Sequence, residues 1–69
     1  MRSMFTLEEV GEMLDMKTSE VEKEIKSGHL TYSFHEGEKR ITLYDLEKYM
    51  GAEQTKKITQ EYLSDQEAG

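Results

Sequence analysis

The chain has 69 residues, a net charge of −6, and neither cysteine nor proline. Such a length supports one domain at most, and folding buries only about 60% of the surface the unfolded chain exposes, so the core must be thin. Without cysteine there is no disulfide framework or thiolate metal site to reinforce it, and overall acidity argues against non-specific nucleic-acid binding, whose affinity comes from bases that neutralise phosphates.

The charge is unevenly spread. Residues 1–16 hold one base and four acids, residues 17–50 six and seven, and residues 51–69 two and four. The middle of the chain is therefore nearly neutral and leaves room for a local basic face. The opening MRSMFTLEEV has no signal-peptide-like apolar run, and no stretch approaches the ~20 apolar residues of a membrane span. A soluble, cytoplasmic protein with no membrane partner is expected.

Thr6 and Glu9 form a capping box, flanked by Phe5 and Val10 at the positions of a hydrophobic staple, so a first helix begins at Leu7. Leu7, Val10 and Leu14 recur at helical spacing, and Asp15 marks the end. Ser19 and Glu22 read as a second capping box. They predict a second helix from about Glu20, after a tight turn at DMKT, with Val21 and Ile25 as its buried pair and Gly28 as its left-handed stop. Two short helices joined by a tight turn have a helix-turn-helix layout.

LTYSFH and EKRIT flank Glu36 and Gly37. The alternation of Leu30, Tyr32 and Phe34 predicts one buried face of a β-hairpin, whose two-residue turn pairs Tyr32 with Ile41 and puts Arg40, opposite Ser33, on the outer face. Thr42 with Asp45 caps a third helix, in which Leu43, Leu46, Tyr49 and Met50 form an apolar stripe before Gly51. The expected core is Val10, Leu14, Val21, Ile25, Leu30, Ile41 and Leu46. Residues 52–69 are polar, with Ile58, Tyr62 and Leu63 as their main apolar anchors, and read as a tail that is partly helical or disordered. They are too few for a heptad-based dimer.

The order helix, turn, helix, hairpin, helix, led by FTLEEVGEML and closed by RITLYDLEKYM, resembles the excisionase-like branch of the MerR-type winged helix-turn-helix proteins. Thr6, Val10, Leu14, Val21, Ile25, Gly28, Leu30, Gly37, Arg40, Ile41, Asp45 and Leu46 fit its pattern from Phe5 to Met50 without an insertion. The resemblance implies a small α+β fold, a winged helix-turn-helix domain over residues 1–51. It also implies double-stranded DNA as partner, the second helix lying in the major groove and the hairpin acting as a wing. Departures include Asp15 for a small turn residue and Thr31 for proline. Glu20, Glu22 and Glu24 lie in the helix that would read DNA, and Glu36 and Glu38 flank the wing tip.

With Val21 and Ile25 facing inward, a turn of about 100° per residue makes Ser19, Lys23 and Lys26 the outermost stripe of the second helix. Glu22 falls on one shoulder, in the favourable orientation for an ion pair with Lys26, and Glu20 and Glu24 fall on the other. The candidate DNA contacts are Thr18, Ser19, Lys23 and Lys26 on this helix, with Lys39 and Arg40 on the hairpin. Of the last two, Arg40 is the stronger candidate because it should face outward; the competing role for Lys39 is an aliphatic stem that covers the core beside Phe34. His29 and His35 lack the neighbours of a metal site, and the acids lack a nucleophile or phosphate cradle, so no cofactor, small-molecule substrate or enzymatic activity is expected. The reading is a sequence-specific DNA-binding accessory or transcription-regulating protein of weak intrinsic affinity, helped by a protein partner or cooperative self-association on DNA. The alternative is an acidic protein-protein adaptor on the same fold that does not bind DNA.

Overall fold

Short side chains that satisfy helix ends decide where this backbone turns. Glu9 N–H donates to the Thr6 hydroxyl at 3.0 Å while Thr6 N–H donates to the Glu9 carboxylate at 2.9 Å, and α1 runs Leu7–Leu14 from that cap. It ends at Asp15 in a left-handed conformation, φ 56°. The chain then doubles back closely: Met16 N–H donates to Gly11 O at 2.8 Å, and a Cβ on Gly11 would lie 2.6 Å from Met16 O. The tight turn therefore requires glycine in the middle of a helix that would otherwise favour alanine.

The computed structural model describes residues 2–68. After α1 come α2 (Thr18–Lys26), a hairpin of β2 (Ser33–His35) and β3 (Glu38–Thr42), α3 (Leu43–Met50) and α4 (Ala52–Ala68), all preceded by the short strand β1 (Met4–Phe5). The described residues thus form a small α+β unit of four helices and a three-stranded antiparallel sheet in the order β1-β3-β2. β3 pairs early with β2, Ser33 opposite Arg40 and His35 opposite Glu38, and late with β1, Phe5 opposite Ile41. Glu36 and Gly37 both take positive φ, 53° and 81°, the combination of a tight hairpin turn whose twist matches the strands.

The second capping box is not where the Ser19–Glu22 pattern puts it. α2 starts at Thr18 with Lys17 at the cap, and Glu20 accepts from Lys17 N–H at 2.9 Å. A carboxylate three residues into a helix needs only the backbone N–H of the cap residue, so any residue can hold the cap position for it. β1 is a two-residue element that no sequence periodicity signals.

Phe5, Val10, Val21, Leu30, Ile41 and Leu46 are the fully buried apolar side chains. They come from β1, α1, α2, the segment after α2, β3 and α3, so nearly every element contributes one. Leu14 and Ile25, expected inside, are half-buried against this cluster, and Tyr32 and Phe34, expected on the buried face of the hairpin, are exposed. Residues 52–68, expected to be partly helical or disordered, form the helix α4, which packs against the rest of the domain. Thr55 and Thr59 are buried, Ile58, Tyr62 and Leu63 half-buried, and Tyr62 meets Phe5 edge-to-face at 6.4 Å. The spacing of 55, 58, 59, 62 and 63 is one helical face once the threonine methyls count as apolar. A radius of gyration of 11.4 Å, close to the ~11 Å expected for a compact chain of this length, agrees with α4 lying along the domain.

Leu46→Ala is expected to cost ~2 to 5 kcal/mol of stability, as for a buried leucine, and Ile25→Ala clearly less, because its side chain already meets water. Truncation after Gly51 should lower the urea midpoint by uncovering Phe5. Denaturation curves check all three, and a truncated chain as stable as the full one would show that α4 adds nothing to the fold.

Candidate nucleic-acid interface

α2 sorts its own charges. Val21 is buried, which turns Lys23 to the far side of the helix, and Thr18, Ser19, Lys23 and Lys26 are all exposed. Among the described residues neither Lys23 nor Lys26 is ion-paired, so the expected Glu22–Lys26 bridge is not formed. Exposed pairs of that kind gain only a few tenths of a kcal/mol, and the entropy of fixing two long side chains offsets much of it.

The three glutamates of α2 have different fates. Glu20 is turned back onto Lys17 N–H as a cap. Glu24 accepts from the Tyr49 hydroxyl at 2.9 Å, and His29 Nδ1 lies 2.9 Å from its other oxygen, where the imidazole can only donate. The hydrogen bond from His29, followed by that from Tyr49, holds the Glu24 carboxyl below its ordinary pKa. Burial, followed by the bond to Glu24, raises the Tyr49 phenol. This link joins α2 to α3 across twenty-five positions of sequence, so no local pattern could have signalled it. Glu22 is exposed and, among the described residues, has no such partner. A shallow groove of about 350 Å³ runs beside α2, lined by Met16, Glu20, Lys23, Glu24, Ser27 and His29.

The hairpin does not present Arg40 as expected. The register does set it opposite Ser33, on the face away from Phe34 and Lys39, but the guanidinium folds back to Glu38 at 3.0 Å and to the Lys39 carbonyl at 3.1 Å. Its side chain is only 20% exposed. Lys39 is exposed instead, with Nζ 5.3 Å from the centre of the Tyr32 ring. As neighbours in a strand, Lys39 and Arg40 point to opposite faces, so they cannot serve one surface together. The structure therefore groups Thr18, Ser19, Lys23 and Lys26 on α2, leaves Lys39 free on the hairpin, and withdraws Arg40. α1 is the element that packs against both α2 and β3.

The hairpin is fixed to the helices through Asp45, 4% exposed. One carboxylate oxygen accepts from the Thr31 hydroxyl at 2.7 Å, and the other from the Thr42 N–H and hydroxyl, each at 2.9 Å. Burial alone would raise this carboxyl, but the bonds from Thr31 and Thr42 outweigh it and hold it below its ordinary pKa. Glu9 is lowered too, first by its hydrogen bonds from Arg2, which reach it at 2.6 and 2.8 Å. No protein-family model matches the chain, and neither a curated protein nor a solved structure is detectably similar to it.

A carboxyl whose folded pKa lies below its unfolded one binds fewer protons when folded. Its contribution is complete above the unfolded value, about 4, and is lost as pH falls through the folded one. The wild type should therefore lose stability on acidification below about pH 4. Asp45→Asn should be less stable at neutral pH and fall less steeply in that acid window. Urea denaturation at a series of pH values checks this, and parallel wild-type and Asp45→Asn profiles would show that Asp45 is not the linked group.

Proposed function

We propose that the chain is a winged helix-turn-helix protein similar to the excisionase-like branch of the MerR type, a sequence-specific DNA-binding accessory or regulatory factor. In this reading α1 and α2 are the helix-turn-helix, α2 enters the major groove and the β2–β3 hairpin is the wing. The observation that carries it is the use made of the charges on α2. Lys23 and Lys26 stand exposed and unpaired beside Ser19, while two of the acids that would repel phosphate, Glu20 and Glu24, are occupied by hydrogen bonds within the protein. Hydroxyl and ammonium groups on one exposed helical face suit both base edges and phosphates.

Affinity in this reading is weak. Lys23, Lys26 and Lys39 offer about three phosphate contacts, which corresponds to a log-log salt slope near −3, well short of the six to ten contacts of a strong binder. A protein partner, or several copies side by side on DNA, would supply the rest.

Fluorescence anisotropy with a pool of genomic duplex fragments tests the proposal. Lys23→Glu should weaken binding, and Glu22→Gln should strengthen it by removing the one unengaged acid of the helix. Glu20→Gln would be a poorer probe, since it also disturbs the α2 cap. Both effects should shrink as salt rises. If wild type and Glu22→Gln both stay unbound at low salt, DNA binding is rejected and the acidic adaptor is the reading that remains.

A further inference from the structure

Strand alternation divides the hairpin into two unlike faces. Phe34 stands opposite Lys39, and Tyr32, two residues away, shares their side. The other side carries Ser33, His35, Glu38 and Arg40. Phe34 is 65% exposed and Tyr32 40% exposed, their rings meeting edge-to-face at 5.4 Å, with the Lys39 ammonium over Tyr32. Both acids at the tip lean away from this patch: Glu38 is bound by Arg40 at 3.0 Å, and Glu36 lies 3.8 Å from His35. An acidic chain thus keeps one face of its hairpin aromatic and cationic, and leaves a phenyl ring in water in the middle of a three-residue edge strand.

We propose that this face is a base-step wedge, a role that rests on the DNA-binding reading above. Phe34 enters between adjacent base pairs, Tyr32 braces its edge, and Lys39 meets the flanking phosphate. A polyanion matches the charge of the patch, and stacked bases match its exposed rings, since partly inserted apolar side chains kink duplexes by roughly 20 to 90° in other proteins. The favoured substrate is a duplex with a TA or CA/TG step where the hairpin lands, because such steps unstack most readily. DNA is then both bound and bent.

The test uses the full chain and a duplex that it enriches from a random-sequence library at low salt. The duplex is synthesised with 2-aminopurine beside each TA or CA step and with a fluorescent donor and acceptor at its ends. Wild-type protein should brighten 2-aminopurine at one step and shorten the end-to-end distance. Phe34→Ala changes an exposed side chain and leaves the fold intact. It should abolish both signals and weaken binding about fivefold or more, while the remaining binding still falls on Lys23→Glu. Phe34→Leu, which keeps an apolar wedge, should retain part of the kink. A wild-type complex that stays dark and straight, or a Phe34→Ala complex bent like wild type, overturns the wedge and leaves DNA binding standing. Failure to enrich any duplex overturns both.

Discussion

One buried carboxylate holds the parts of this protein in register. Asp45 receives hydrogen bonds from Thr31, just ahead of the hairpin, and from Thr42, at the end of β3, and its own residue opens α3. Burying an ion is tolerable only if such partners replace its water. The partners must therefore arrive together, and the hairpin cannot tilt against α3 without stranding a charge.

Polar ties matter here because the apolar core is small. The six fully buried apolar side chains among the described residues cannot by themselves specify how helices, hairpin and α4 are placed, and much of the placement falls to directional bonds. Glu24 to Tyr49 sets α2 against α3, and Arg2 to Glu9, with the Arg2 guanidinium 4.8 Å over the Phe5 ring, closes the edge where α4 arrives. α4 itself contributes an imperfect surface. Thr59 returns its hydroxyl to the Thr55 carbonyl at 2.8 Å, while the Thr55 hydroxyl is buried without a partner.

What could be read from the chain follows the range of the physics. The Thr6–Glu9 and Thr42–Asp45 caps, the stop at Gly28 and the Glu36–Gly37 turn depend on residues a few positions apart, and they are where the sequence puts them. Ser19–Glu22 competed with Lys17 and Glu20 for the start of α2, and the pair that forms is Glu20 on the Lys17 N–H. Alternation identified which side of the hairpin Tyr32 and Phe34 share, but not that both rings stay exposed. In α4 the polar class of Thr55 and Thr59 hid the face that their methyls build. For the candidate interface, the wheel placed Lys23 and Lys26 outward from local geometry alone. The retreat of Arg40 to Glu38, and the capture of Glu24 by Tyr49, depend on side-chain partners that periodicity does not encode.

The exposed face of α2 is mechanically idle. Among the described residues, Ser19, Lys23 and Lys26 form no side-chain bond to the rest of the molecule, whereas Glu20 and Glu24 on the same helix are tied into it. Mutational drift would meet little resistance at the first set and strong resistance at the second. Over generations such a helix can change its outer positions freely while the scaffold beneath is inherited unchanged.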